Sequence, residues 1–266
     1  MQCCTGFALK EPMRSILVQW CLRICLILVA SRPICAGSID YRQEMVNFVA
    51  AIAARAHATN AEFGVIQQNA SELGAYSNQL ATITAISHED VYYGYDRAGM
   101  ATDSNTVQYL ETNLDVFKNA GRPVFTLNYP FKNKNKASFK AKDLAKVNDA
   151  YARSLAKGYI PFATVRELSA LVVNPGHEPT PNVPAVTNWS QIAEWIVQLQ
   201  PAKRQTRAPF LSALGASKYD MVVIDYSFDG SGGTEFTAEE ITVLKNQLGG
   251  KVVAYLSIGE AEDYRW

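Results

Sequence analysis

Tyr219-Asp-Met-Val-Val-Ile-Asp225-Tyr226 and Lys251-Val-Val-Ala-Tyr-Leu-Ser-Ile-Gly-Glu260-Ala-Glu262-Asp263-Tyr-Arg265-Trp266 are two aliphatic, β-branched runs that each end in acidic side chains. A helical pattern from Thr237 to Leu248 separates them. Parallel strands buried on both faces read this way, as near-continuous apolar runs joined by a helix. In parallel α/β folds the active site gathers at the C-terminal strand ends, which makes Asp225, Glu260, Glu262 and Asp263 candidates for chemistry.

The same alternation continues upstream. Met45, Val46, Val49, Ile52, Ala53 and Ala56 give a helix over Tyr41 to Thr59 one apolar face. A strand follows from Phe63 to Asn69 and ends in the amides Gln68 and Asn69. Ser71 to Gln79 reads as a short helical or loop connection, and Ala81 to Asp90 as a strand ending in Glu89 and Asp90. A helix is expected over Thr102 to Asn119, capped by Asp103 or Ser104 and stopped by Gly121. Pro123 to Tyr129 is a strand halted by Pro130, Lys142 to Lys157 a helix closed by Gly158, and Tyr159 to Val165 the next strand. Four prolines between Val173 and Pro184 predict an extended linker. A further block opens at Asn188, with Trp195, Leu199 and Phe210 available for packing. The expected organisation is a leader over 1–37, a segment over 38–172, a linker over 173–187 and a segment over 188–266. Six strands alternating with helices predict a parallel α/β fold, a barrel rather than an open sheet.

Bulk properties exclude several classes. The 266 residues carry 25 Lys plus Arg against 25 Asp plus Glu, so no nucleic-acid binder is indicated. The densest positive cluster, Lys132, Lys134 and Lys136 with Lys140 and Lys142, reads as a solvated loop and helix start. All five cysteines precede Ala36, and His57, His88 and His177 stand at no ligand spacing, so neither a metal nor a cofactor is expected. Asp229 to Glu235 lacks the Lys-Ser/Thr of a phosphate loop, and Ser257-Ile-Gly lacks a nucleophile elbow. Ile16 to Ala30 is apolar but interrupted by Gln19 and Arg23, too short to span a bilayer comfortably. With Arg14 before it and Ala36-Gly37 after it, this run predicts a secretory signal and an exported protein.

The pair Tyr-Asp-Met-Val-Val-Ile-Asp-Tyr-Ser and Val-Val-Ala-Tyr-Leu-Ser-Ile-Gly-Glu-Ala-Glu-Asp-Tyr-Arg resembles the opening two strands of the endo-α-1,4-polygalactosaminidase-like glycoside hydrolases (family 114). Tyr-Arg-Gln-Glu-Met-Val-Asn-Phe-Val, Val-Ile-Gln-Gln-Asn, Ser-His-Glu-Asp-Val-Tyr-Tyr-Gly and Gly-Tyr-Ile-Pro-Phe resemble the second half of the same barrel. The resemblance implies a (β/α)8 TIM-barrel-like fold, incomplete, with six parallel strands in the order 5-6-7-8-1-2. Either a fragment cut across tandem barrels or a circularly permuted gene would give that order. It also implies endo-acting hydrolysis of an α-1,4-linked galactosamine polysaccharide. Such hydrolysis needs two carboxyl groups flanking the scissile bond. Glu89 matches the family position of the acid/base. The family's second catalytic Asp, in a Phe-Asp-Gly-x-x-Leu-Asp pattern, has no counterpart: Phe228-Asp229-Gly230 follows the wrong strand and no apolar run comes after it. A non-catalytic carbohydrate-binding protein, or a truncated or permuted gene fragment, is therefore the alternative expectation.

Around Glu89, the substrate-binding candidates are Asp225, Glu260, Glu262, Gln68, Asn69, Asp90, Tyr129 and Tyr255. The acids and amides would take sugar hydroxyls or amines, and the tyrosines, with Tyr92 and Tyr93, would offer stacking faces. An acid-rich mouth suits an amino sugar polymer carrying ammonium groups.

Overall fold

The computed structural model describes residues 39–181 and 185–259. The leader with all five cysteines and the final cluster with Glu260, Glu262, Asp263 and Arg265 lie outside the described residues. Helix α1 (Tyr41–His57) turns Val46, Val49 and Ala53 into the core. Strand β1 (Ile66–Gln68) begins later than the apolar run at Phe63 predicts, and helix α2 (Ser77–Thr82) takes up Ala81 and Thr82, which the sequence assigned to a strand. Strand β2 (Ala85–Glu89) keeps the expected acidic end.

Helix α3 (Ser104–Asn119) starts where Asp103 accepts the N–H groups of Asn105 and Thr106 at 3.0 Å each, which satisfies two otherwise orphan donors. After strand β3 (Val124–Asn128), helix α4 (Ala141–Lys157) ends at Gly158, whose φ of 72° suits a residue without Cβ. Strand β4 (Ile160–Ala163) completes one parallel sheet in the order β1-β2-β3-β4.

A second parallel sheet, β5-β6-β7, contains a strand that the sequence reading lacks. Strand β5 (Trp195–Val197) is three residues long, too short for any period to show, and it pairs with β6 (Met221–Asp225). Helix α5 (Arg207–Gly215) connects them, and helix α6 (Ala238–Leu248) leads to β7 (Lys251–Tyr255). A capping box starts α6: Thr237 accepts from Glu240 N–H, and the Glu240 carboxylate accepts from Thr237 N–H. Among the described residues there are therefore seven strands, where the sequence predicts six.

Two bonds orient the sheets. Near the start of both strands, Trp195 Nε1 donates to Ile160 O at 3.1 Å; beyond the end of both, Gln200 N–H donates to Leu168 O at 3.1 Å. Start meets start and end meets end, so β4 and β5 run in the same direction. One hydrophobic cluster spans both sheets, from Phe125 and Phe162 through Trp195 to Val222 and Leu244. The start of the proline-rich stretch is fastened to the body. Asn174 Nδ2 donates to Ala163 O at 2.9 Å, the His177 ring stacks on Tyr151 at 3.8 Å, and Tyr219 Oη donates to Val172 O. No ladder joins β7 to β1 among the described residues, so the fold is α/β with parallel sheets and no closed barrel.

Candidate functional site

Side chains paired across parallel strands project to the same side, and alternate residues along a strand share it. Ser87 pairs with Phe125 and Glu89 with Leu127; Phe125 pairs with Ile160 and Leu127 with Phe162. Glu89 thus shares a face with Phe125 and Phe162. The Trp195 ring lies against both, at 5.2 and 6.0 Å. From Trp195 the register continues to Met221, Val223 and Asp225, and from Asp225 to Tyr255. Glu89, Asp225 and Tyr255 therefore belong to one continuous face, at the C-terminal ends of strands that run the same way. Gln68, paired with Ser87, falls on that face too.

The densest polar geometry surrounds Glu89. Asn69 Nδ2 donates to Oε1 at 2.8 Å, and the Tyr129 hydroxyl donates to Oε2 at 2.7 Å. Asn69 Oδ1 in turn accepts the Glu89 backbone N–H at 3.1 Å, so the two residues grip each other reciprocally. Burial, then the Glu89 charge, holds the Tyr129 hydroxyl well above its ordinary range, which keeps it a donor. With a donor on each oxygen, Glu89 is arranged as a carboxylate whose two oxygens are fixed in direction. Its neighbour His88 is buried, desolvation moves its imidazole below the ordinary histidine range, and its Nδ1 lies 2.8 Å from Glu89 O.

Backbone strain concentrates here. Asn69, Ala70 and Asp90 have φ of 60°, 50° and 62°, all directly past the ends of β1 and β2. Left-handed backbone outside glycine costs energy and persists where its surroundings enforce it. For Asn69 the enforcement is the pair of bonds to Glu89. For Asp90 it comes from three partners. Its N–H donates to Leu127 O, its carbonyl accepts from Thr102, and its carboxylate meets Arg166 at 3.4 Å.

Burial pushes Asp90 up to about 6, with Arg166 pulling back and Glu89 adding to the rise. Arg166 also donates to Gly94 O at 2.5 Å and lies 5.2 Å over the Tyr129 ring. Gly94 is required: at its φ of 122° an added Cβ would sit 2.1 Å from Asp90 Oδ1. One guanidinium thus ties the loop after β2 to the residue whose hydroxyl directs Glu89.

The remaining candidates divide. Asn69, Asp90 and Tyr129 are brought together with Glu89. Tyr129 is buried, so its ring belongs to the core and only its hydroxyl serves the site. Tyr92 is buried as well, and its hydroxyl donates to Glu111. Gln68 is exposed, with a long 3.4 Å contact to Asn69. Asp225 is buried at the end of β6, its Oδ1 accepting Ser227 N–H at 3.4 Å, and Tyr255 is half-buried on β7. Glu260 and Glu262 lie outside the described residues.

Sequence reading missed Arg166, Asn128, Thr164 and Gln198. Asn128 accepts the N–H groups of Tyr92 and Tyr93 through Oδ1. Its Nδ2, Thr164 Oγ1 and Gln198 Oε1 are buried and make no hydrogen bond within the described chain. Buried polar atoms of this kind need partners, and these three follow one another at the ends of β3, β4 and β5. For Asn128, Thr164 and Gln198 the available signal was position, since each stands at or within one residue of a strand's C-terminal end. Among the described residues no group of three or more His, Cys, Asp or Glu side chains is placed to hold a metal ion.

No protein-family model matches the chain. It is 34% identical over 134 residues to an uncharacterized protein of Deinococcus radiodurans, a match covering 50% of this chain and 39% of that protein. It is also 42% identical over 73 residues to the uncharacterized protein MJ1477 of Methanocaldococcus jannaschii, covering 27% of this chain and 18% of the other. An uncharacterized protein of Thermotoga maritima is 40% identical over 72 residues, 27% of this chain and 20% of the relative. The chain spans less than half the length of these curated relatives.

Proposed function

We propose that the chain is a glycoside hydrolase-like protein in which Glu89 is the acid/base and Asp225 helps to bind the sugar. The polysaccharide suggested by the family resemblance is an α-1,4-linked galactosamine polymer. One observation carries the reading: a carboxylate fixed through both oxygens stands on the strand-end face that Asp225 shares. A carboxyl group that holds a proton can give it to a leaving oxygen, and once ionised it can take a proton from the attacking water. Tyr129 and Asn69 would set the direction of the Glu89 lone pairs, while Thr164, two residues after Phe162 and so on the same face, offers a buried hydroxyl to sugar hydroxyls. The seven strands in sequential order support a TIM-barrel-like arc short of closure. The leader-like run Ile16 to Ala30 supports action outside the cytoplasm.

A second reading, carbohydrate binding without turnover, is favoured by the edges of β1 and β7, which no strand among the described residues joins, and by the unmatched second catalytic Asp. The test is reducing-end release from α-1,4-galactosamine polymer by the full chain. The wild type is expected to release new ends, and Glu89→Gln to release none while unfolding within about 1 kcal/mol of it. Binding of the polymer with no release by the wild type would replace hydrolysis by the second reading.

A further inference from the structure

The edges of β1 and β7 that no described strand joins carry backbone groups in a defined order. Asn69 N–H donates to Ser87 O and Val65 O accepts from Thr84 N–H, so alternate residues around β1 serve β2. Ile66 and Gln68, which fall between them, turn their N–H and C=O groups to the open side. On β7, Lys251 N–H donates to Asp220 O, which leaves Val252 and Ala254 turned away from β6.

One short segment ties the two edges together at the starts of the strands. Val186 N–H donates to Gly249 O just before β7, and Lys251 Nζ donates to Thr187 O at 2.6 Å. The Trp189 indole occupies the space where a Cβ on Gly64 would stand, just before β1. Lys251 Nζ lies 5.5 Å from the centroid of that indole. An extended lysine, this separation and half an indole reach from Lys251 to Gly64, so the starts of β7 and β1 are no more than about 17 Å apart. Adjacent strands stand about 4.8 Å apart, so one inserted strand needs about 10 Å between its neighbours and two need about 14 Å. Curvature selects one. Ile66 and Val253 pack against the same hydrophobic cluster, so the row of strands curls around a shared interior, and eight parallel strands enclose an interior that side chains just fill. Apolar surface flanks the slot: Phe48 on α1 and Val243 on α6, the helices that lead into β1 and β7, are 48% and 54% exposed.

We infer that the slot between β7 and β1 is a docking site for one parallel β-strand of a partner chain, a segment of about five residues that is apolar on both faces. Such a strand pairs with Ile66 and Gln68 on one side and with Val252 and Ala254 on the other, as in strand addition to an open sheet edge. A second copy of this chain does not fit, because its β1 or β7 brings a helix and a whole sheet with it. The inference rests on the proposed barrel-like arc and not on hydrolysis.

The test is amide hydrogen exchange of the full chain, read by NMR, with the synthetic peptide Lys-Lys-Val-Ile-Val-Val-Ile-Lys-Lys. Exchange at Gln68 and at Ala254 should slow together and saturate at the same peptide concentration. A nitroxide on the peptide's C-terminus should broaden the signals of Gln68 and Tyr255 and spare those of Gly64 and Lys251. N-methylation of alternate peptide residues keeps the apolar side chains and deletes donors, and should weaken binding tenfold or more. Ala254→Pro, which removes a donor aimed at the slot and none aimed at β6, should do the same. Protection of one edge alone, the reverse broadening pattern, or equal binding of the N-methylated peptide overturns the inference. So does protection of both edges before any peptide is added. The two readings fail separately: absence of reducing-end release removes the hydrolase, and absence of edge protection removes the docking site.

Discussion

Strands β3 and β7 are both five residues long and both rich in Val and aromatic residues, yet β3 is buried at all five positions and β7 at none. The difference lies in their neighbours. β3 sits between two hydrogen-bonded strands, with α3 and α4 at hand and Trp195 over its inner face. β7 has one partner strand among the described residues, and past its end Leu256 and Ile258 are 51% and 39% exposed. Burial in a parallel sheet is thus a property of rank in the row of strands rather than of the strand's own residues. The polar network does not follow that gradient: it links Asn69, past the edge strand β1, to Glu89 and Asp90 at the end of β2 and to Arg166 past β4.

That contrast predicts a graded set of effects. The largest is at the junction of the sheets, where Trp195→Ala removes a buried indole touching Phe125, Phe162 and Ile160. It should cost about 3–5 kcal/mol in urea unfolding; a smaller loss would mean that the two sheets are not one cooperative body.

Asp90 comes next. Because burial raises it to about 6, the folded protein keeps a proton there that the unfolded chain releases from about pH 4 upward. The associated stability is complete below about pH 4 and is lost as pH rises through about 6. Between pH 4 and 7 the wild type should lose about 2–3 kcal/mol more than Asp90→Asn. Parallel pH profiles would show that Asp90 is not the group responsible.

Tyr129→Phe deletes the hydroxyl from one Glu89 oxygen and should cost about 1.5–2 kcal/mol. If the proposed hydrolysis is detected, its pH profile should shift as well. At the other end of the gradient, Val253→Ala on β7 should cost under about 1 kcal/mol, since its site is half-buried. A loss matching a β3 substitution would place a neighbour over that strand in solution.

Much of the fold was legible because helices announce their limits. Asp103 and Gly158 mark helix ends in the sequence and do so in the structure, and the helix read from Thr237 is capped by it. β5 was not legible, because three residues between Glu194 and Gln198 carry neither a period nor a turn signal. The start of β2 was misplaced because Ala81 and Thr82 suit a helix as well as a strand, and the choice was made by contacts distant in the chain. At the site, Glu89, Asn69 and Tyr129 could each be picked out as strand-end residues with chemistry to offer. Their bonds to one another could not, since those depend on which strands become neighbours. Arg166 shows the limit most plainly. Its partners, Asp90 and Gly94, lie more than seventy positions away, and nothing local to Thr164-Val165-Arg166 foretells them.

Trp195 has one practical consequence. Its indole is dry, whereas Trp189, near the start of the same block, is partly open to solvent. The protein therefore contains its own optical gauge: a fluorophore shielded from iodide quenching while the sheets stay together, shifting to red emission once water reaches it. Parting of the sheets could be followed in real time without attaching any label.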